Sequence, residues 1–552
     1  MKLRTSFFNA RALGKNITRF SPVWALYSVA LAILFLVIKN GSPNYMARNM
    51  VDAYMALGVF NVIYAPICAL LLFGDLLNSR MCNALHALPM RREGWFLTHI
   101  TSAFLFAFVP NGIFSLVCGL LIAPNIMVAA MFFAIAMLQF LFFFGAATLS
   151  IFCAGNRLAA AVVYAIINFL PMLVYALLYN HYVPLLYGLT VDADAFMHLC
   201  PIYAFSEASY ADFYAANYGF VGNISEIPWE DWRYLFIAAG VGVAFLILSV
   251  VLYRRRNLEC AGDFVAFKGL GPVFLVIYTA AVGTLLYTIG NELLNDYEYL
   301  LLAIGLIVGY FTGRMLLDRT VKVFHKKSLL GFGIMTVVLA LTMYITYLDP
   351  MGVVTEVPQL QDIKSVSITT GSMYYPYNQG LAPITNQETI QDILDVHQHQ
   401  ATTRDDGDRS VTITIRYTLK DGTSLLRKYP MNVESAQAQS LKPLFSSWLY
   451  LFGVGDQPSM ISIESVRLDD GVEYKDTEIT KKVLEALYQD SLSGNLVQDW
   501  SYHPGEGVRY WIGISFIDAN GSHDYLDLVV FESCHSTVAV LEEFFEQNGG
   551  LK

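Results

Sequence analysis

Long apolar runs, separated by short polar segments, dominate the first 350 residues of the chain. A helix needs about 20 apolar residues to cross the hydrocarbon of a bilayer, and about nine runs meet that length. They cover residues 22–38, 54–73, 96–123, 126–153, 158–178, 234–253, 271–289, 299–315 and 329–347. The pattern therefore predicts a polytopic α-helical membrane protein with about nine spans.

Residues 1–20 have a different pattern, in which apolar positions at helical spacing alternate with Arg and Lys. This is typical of an amphipathic helix lying in the membrane interface. A cleavable signal peptide is the alternative, but no small-residue cleavage pattern follows the first apolar run. We assign residues 21–266 to a six-span core and residues 267–348 to three additional spans.

The sequence becomes polar after residue 355 and contains an internal repeat. Residues 362–368 (DIKSVSI) match residues 462–468 (SIESVRL), and each match is followed by a helical pattern, a hairpin and a second helix. An Asp-Gly or Asn-Gly turn marks each hairpin. We predict a C-terminal α+β extracytoplasmic domain over 355–552, built from two β-α-β-β-α repeats at about 355–450 and 460–552. Ligand sensing and rigid scaffolding are both compatible with it.

Composition separates the two parts further. Hydrophobic residues make up 55% of the chain and charged residues 14%, which is too apolar for a soluble protein. The tail from residue 355 carries 28 acidic and 14 basic residues against a total net charge of −10, so the membrane part is net basic. Its basic residues fall in alternate loops. The positive-inside rule then predicts a cytoplasmic N-terminus and an extracytoplasmic C-terminal domain.

The loop after the second span, at residues 75–92, is amphipathic and basic. Its apolar residues recur at helical spacing: Leu76, Leu77, Met81, Ala84, Leu85 and Leu88. Pro89 is expected to end the helix, and Arg91 and Arg92 follow. Two interpretations are compatible with this pattern. One is a membrane-surface helix with positive-inside arginines, and the other is a coupling helix through which an ATPase moves the membrane helices.

Two stretches resemble a known family. ALHALPMRREGWFLTH, in the loop after the second span, resembles the LHSLPxxRExLF-like stretch in permease subunits of bacterial ABC transporters of the type-two exporter class, with Ala87 in place of the usual Ser. YRRRNLECAGDFVAF, at residues 253–267, resembles a YRRRxxExAGxxxAF-like segment that such permeases often carry after the sixth span. Cys260 stands there where Ser is more usual.

The resemblance implies a permease of the bacterial cytoplasmic membrane that exports an amphiphilic peptide, lipid-like molecule or drug. A separate ABC ATPase would supply ATP and Mg, because this chain has no GxxxxGK[ST] motif. The expected ATPase-coupling residues are Leu76, Met81, Leu85, His86, Leu88, Pro89, Arg91, Arg92 and Glu93. Arg254, Arg255 and Arg256 form a second expected contact. A second permease copy or a paralogue is the other expected partner, and nucleic acid is not expected.

Polar residues and prolines occur inside the predicted spans. Pro66, Pro110 and Pro171 are expected to interrupt helices, and four amides lie at membrane depth: Asn61, Asn111, Gln139 and Asn168. They predict either a translocation path or hydrogen bonds that hold helices together. No Asp or Glu lies deep in a predicted span, which argues against an ion-coupled carrier.

No motif predicts a catalytic or metal site in this chain. His397 and His399 are spaced i, i+2, so they do not share a helix face, and we expect them to be exposed. His503 and His523 have no Ser or Cys nearby in a nucleophile context, and Asp405, Asp406 and Asp408 lack the spacing of a calcium loop.

Two further features are expected outside the membrane. The aromatic-rich residues 180–231 form a long loop that either caps the outer mouth of the helices or forms an interfacial belt. Cys200 and Cys534 are the two cysteines predicted outside, but nothing around them supports pairing. Two other functions remain open: a membrane-anchored sensor or binding protein that transports nothing, and a membrane enzyme acting at the outer face.

Overall fold

A computed structural model describes most of the chain. The described residues are 8–39, 46–87, 90–121, 126–207, 229–294, 297–370, 383–403, 410–452, 462–468, 473–475, 478–498, 503, 507–517 and 523–547. They form two compact units, one of residues 1–180 and 192–339 and the other of residues 181–191 and 340–552. We call them the membrane unit and the C-terminal unit.

The membrane unit is helical. Its helices are α1 (Ala10–Arg19), α2 (Ser21–Lys39), α3 (Met46–Phe73), α4 (Ser79–His86), α5 (Arg92–Leu121), α6 (Ile126–Cys153), α7 (Arg157–Leu177), α8 (Ala193–Leu199), α9 (Pro201–Glu207), α10 (Trp229–Arg255), α11 (Leu270–Leu293), α12 (Glu298–Asp318) and α13 (Lys326–Tyr347), of which α13 runs across the boundary between the units. Among the described residues, eight helices are long and apolar enough to cross a membrane, or nine if α1 and α2, bent by 59°, count as one span.

The prolines do not break the helices as expected. Pro66, Pro110 and Pro171 lie inside α3, α5 and α7, which continue through them. A proline leaves the carbonyl four residues earlier without its helical partner. Two tyrosines from other helices replace that partner: Tyr164 donates to the Val62 carbonyl at 2.9 Å, and Tyr64 donates to the Phe106 carbonyl at 3.0 Å. Backbone satisfaction by a neighbouring helix therefore keeps α3 and α5 intact.

The C-terminal unit contains two antiparallel sheets. One has the order β1-β2-β3, and the other has the order β5-β4-β6-β7. The strands are β1 (Ile363–Thr370), β2 (Ser410–Leu419), β3 (Ser424–Asn432), β4 (Ser462–Arg467), β5 (Glu473–Lys475), β6 (Val508–Ile517) and β7 (His523–Phe531). The helices are α14 (Gln387–Thr403), α15 (Ala436–Ser446), α16 (Trp448–Phe452), α17 (Glu478–Leu492) and α18 (His535–Gln547).

Each half of this unit follows the predicted order of strand, helix, hairpin and helix, and the second half adds the short strand β5. Buried residues of both sheets and of their helices form one continuous hydrophobic core. The predicted fold class, a multi-span helical membrane protein with a C-terminal α/β region, is thus confirmed.

Candidate functional site

The loop between α3 and α5 forms a compact element at one end of the membrane unit. It begins with a 3₁₀ turn at Gly74–Leu77 and continues as α4. Leu76 and Leu77 are buried, whereas Met81 is 43% exposed and Arg80 is exposed. The element therefore anchors its first residues in the helix core and leaves a basic and apolar surface on α4. We use the name α4 end for residues 74–86 together with the adjoining ends of α5, α6 and α10.

Not every predicted coupling residue can be placed on that surface. Leu85 and His86 belong to α4, but their side chains lie outside the described part, as do Leu88 and Pro89 entirely. Cys82 is buried on the opposite side of α4, and burial raises the pKa of its thiol. A protonated, buried thiol is chemically inert, so Cys82 acts as a core residue.

Arg256 joins the α4 end to α6. Its side chain is buried, and Nη1 donates to the carbonyls of Ile151 and Phe152 at 2.9 and 3.1 Å. These are orphan carbonyls in the last turn of α6, where a cation is favourable. The Nη2 group donates to the Leu76 carbonyl at 3.2 Å. One guanidinium thus fastens the start of the α4 element to the end of α6.

Arg92 makes an equivalent connection to α10. Its Nη1 donates to the carbonyl of Tyr253 at 2.8 Å and to those of Arg254 and Arg256 at 3.3 and 3.2 Å, all at the end of α10. Glu93 accepts from Arg254 Nε at 2.9 Å. Arg92, a predicted coupling residue, and Arg256, a predicted secondary contact, therefore connect helix ends within the membrane unit. Arg80, Arg91, Arg254 and Arg255 have exposed side chains.

The link between α6 and α7 completes the α4 end, and the sequence did not single it out. Ala154 bridges Val265, while Gly155 donates to the Phe264 carbonyl at 3.2 Å and accepts from Gly262 at 2.7 Å. A Cβ on Gly155 would overlap two backbone carbonyls of the 260–263 loop. Glycine is thus required at 155 for this close approach. Residues 261–267 (AGDFVAF), part of the 253–267 segment described above, therefore pack against the link between α6 and α7.

Three of the four intramembrane amides form one buried network. Asn61 donates to Gln139 at 3.1 Å and to the Ala136 carbonyl at 3.2 Å. The Tyr27 hydroxyl lies within hydrogen-bond distance of Asn61 Oδ1 and Asn111 Oδ1, at 3.3 and 3.1 Å, so the two amides share its one proton. The network joins α2, α3, α5 and α6 through side chains that are buried from solvent. Its geometry is that of hydrogen bonds that hold a helix bundle together.

Asn168 lies apart from that network, beside a cavity of about 460 Å³ in the membrane unit. Residues of α3, α6, α7 and α9 line the cavity, and most are apolar or small. Asn168 donates from Nδ2 to the Tyr164 carbonyl at 2.8 Å, and its Oδ1 has no partner among the described atoms. The cavity therefore combines an apolar wall with one buried hydrogen-bond acceptor, as binding sites for small amphiphiles do.

Two histidines of the C-terminal unit differ from expectation. His397 is fully buried rather than exposed, and its Nδ1 lies 3.1 Å from the Tyr417 hydroxyl. The α14 helix turns this side toward the sheet, and the aromatic rings of β2 and β3 cover it. Burial, with a smaller contribution from Arg427, lowers the pKa of His397 to about 4.

The second is His503, which has a serine nearby after all. Its Nε2 lies 2.8 Å from the Val497 carbonyl, so that nitrogen carries the proton. Its Nδ1 is then an acceptor, and it lies 3.3 Å from Ser533 Oγ. The ring also stacks on Phe531. The sequence did not reveal this contact, because His503 and Ser533 are 30 residues apart. His399 is half-buried, and Asp405, Asp406 and Asp408 lie outside the described residues.

All seven cysteines are free thiols. Cys200 donates to the Asn168 carbonyl and Cys534 to the Asn495 carbonyl, each within its own unit.

Comparison with known proteins adds no family. No family model, no curated protein and no solved structure matches the chain. The established description is thus a multi-pass membrane protein with a C-terminal α/β region.

Proposed function

We propose that this chain is the permease subunit of an ABC exporter and that a separate ATPase docks on the α4 end from the cytoplasm. The observation that carries this proposal is the seating of the α4 element. A short helix between two spans exposes Arg80 and Met81, while Arg256 fastens its base to α6. A displacement of α4 by a bound ATPase would move the helix ends that are bonded to it, as a rigid-body transition requires.

The distribution of charge supports the same proposal. The α4 end gathers exposed basic side chains from three segments, at Arg80, Arg91 and Arg254–Arg255. Basic residues mark the cytoplasmic side of a membrane protein, where a soluble ATPase is found. A docking surface that combines an exposed apolar side chain with cations fits a partner with an acidic cleft.

The cavity beside Asn168 supports an amphiphilic substrate. Its volume of about 460 Å³ is sufficient for a small apolar group or part of an acyl chain. A ligand that donates a hydrogen bond to Asn168 Oδ1 would satisfy a group that is otherwise buried without a partner. Peptides, lipid-like molecules and many drugs combine an apolar body with such a donor.

Purification of the chain from its native membrane tests the ATPase partner. We expect a protein with a Walker motif to copurify, and the double variant Arg80→Glu, Met81→Asp to lower its recovery by about tenfold or more, because both changes alter side chains that α4 exposes. Lys322→Glu is the matched control, since Lys322 is an exposed cation of the α12–α13 loop. It should leave recovery unchanged.

Two outcomes would contradict the proposal. One is the absence of any ATPase from the purified wild-type complex, which would favour the sensor or binding protein. The other is equal ATPase recovery with the double variant and with wild type. Circular dichroism and the elution volume of the double variant show whether it is folded, and both should match those of the wild type.

A further inference from the structure

The residues that follow α7 belong to the C-terminal unit, although the sequence places them in a loop of the membrane part. Residues 181–191 group with residues 340–552. Leu189 forms an antiparallel bridge with Arg427 of β3, and the Lys428 amide donates to the Gly188 carbonyl at 2.9 Å. An edge strand offers unpaired amides and carbonyls to another segment. Here a turn of the same chain binds to it through one bridge and one backbone hydrogen bond.

Side chains make this attachment specific. Tyr187 packs its ring against Tyr429, with the centroids 5.6 Å apart. Gly188 has a φ of +78°, and a Cβ there would overlap the Tyr429 ring. Both the backbone conformation and the space therefore require glycine at this position. Tyr429 is fully buried in this arrangement.

The other connection to the membrane helices meets β3 at the same place. Arg427 is buried, and its Nη2 donates to the carbonyls of Val353 and Glu356 at 3.0 and 3.4 Å. These two residues belong to the linker that follows α13. The linker and the 181–191 segment are far apart in sequence, yet both are fixed within three consecutive residues of β3, Arg427 to Tyr429.

We propose that residues 186–189 are a strap that is held on the edge strand β3, so that the chain after α7 and the linker after α13 are both attached to Arg427–Tyr429 of the C-terminal unit. A π-helical turn, Leu178–Tyr182, and a 3₁₀ turn, Val183–Leu185, join α7 to the strap. The inference does not depend on the ATPase partner.

Hydrogen exchange of the full-length protein tests the strap. The Lys428 amide faces the strap, so the alternation of an antiparallel pair directs the amides of Arg427 and Tyr429 toward β2. We expect Gly188→Ala to raise the exchange rate at Lys428 by about tenfold or more and to leave its two neighbours protected. Gly422→Ala is the matched control, because Gly422 has a φ of +88° and open space around it.

The contrary outcomes are clear. Equal Lys428 exchange in wild type and Gly188→Ala would show that the strap is not seated on β3. Loss of protection throughout β2 and β3 would indicate unfolding of the sheet, and the variant Tyr187→Ala would then replace it, since it removes the ring contact without straining the backbone. Faster exchange at Lys428 with Tyr187→Ala supports the strap, and unchanged exchange overturns it.

Discussion

Arg256 in the membrane unit and Arg427 in the C-terminal unit are both buried arginines that bind backbone carbonyls of connecting segments. Their surroundings differ. Arg256 fastens helix ends. Arg427 lies among aromatic rings, and its Nε, His397 Nε2 and the Gln400 amide have no partner among the described atoms. A buried arginine thus connects chain segments in both units, but the one in the C-terminal unit lies beside buried polar atoms that lack a partner.

This difference in hydrogen bonding predicts which unit is more sensitive to substitution and to acid. A buried polar group without a hydrogen-bond partner is costly, so a substitution that removes one more partner from such a core should be strongly destabilising. An incompletely bonded core is expensive to charge, because an added proton finds no acceptor. The C-terminal unit should thus respond to single substitutions and to acid more strongly than the α4 end.

The largest effect should come from Arg427→Met. The change removes a buried charge but leaves the carbonyls of Val353 and Glu356 without their donor, and it releases the linker after α13. We expect a loss of about 3–5 kcal/mol in the free energy of unfolding of the C-terminal unit, measured by urea titration, because each carbonyl left without a donor costs about 1–3 kcal/mol. Glu356→Gln is the control. Its carboxylate is 62% exposed, so it should cost less than about 1 kcal/mol.

Acid should destabilise the C-terminal unit through His397. Its pKa is about 4 when folded and about 6.5 when unfolded, so the unfolded state binds the proton first. Stability is complete above pH 6.5, falls as the pH drops from there, and levels off below pH 4. The loss should be about 3 kcal/mol, measured as the pH dependence of the unfolding midpoint. His397→Phe should flatten the profile between pH 6.5 and 4, and a profile as steep as that of the wild type would refute this assignment.

The proline contacts of the membrane unit should have a smaller effect. Tyr64→Phe leaves the Phe106 carbonyl without a donor and should lower thermal stability in detergent by the equivalent of about 1 kcal/mol. Pro110→Ala supplies the missing helical amide. Tyr64→Phe should therefore cost less in a Pro110→Ala background, and equal costs in the two backgrounds would contradict the proposed substitution of one donor for the other.

The smallest effect should come from Glu93→Gln. Glu93 pairs with Arg254, whose side chain is 60% exposed, and exposed ion pairs contribute little. We expect a change below about 0.5 kcal/mol, seen as an unchanged melting temperature within error. A larger loss would mean that this pair, and not the Arg92 and Arg256 bonds to carbonyls, holds the α4 end together.

The sequence was sufficient for the spans and for the hairpins of the C-terminal unit. Hydropathy depends on neighbouring residues alone, and residues 126–153 were predicted as a span with the bounds that α6 has. The Asp-Gly turn likewise placed the β2–β3 hairpin. Such features are local, so one sequence carries them.

The roles of Arg256, Tyr164 and Gly188 could not be predicted in the same way. Each depends on a carbonyl or a ring that is distant along the chain, such as Leu76 for Arg256 and Tyr429 for Gly188. The motif that contains Arg256 suggested a partner contact, because exposed and buried arginines look alike in a sequence. His397 was expected to be exposed for the same reason: its pattern did not reveal that aromatic rings cover it.

Site-specific photocrosslinking in intact cells tests the central claim most directly. A photoreactive amino acid at Met81, on the exposed surface of α4, should form one major adduct, and mass spectrometry should identify its partner as a Walker-motif ATPase. The same probe at Thr423, in the β2–β3 turn, should not form that adduct. An ATPase adduct at Thr423 but not at Met81, or no ATPase adduct at either position, would contradict the account.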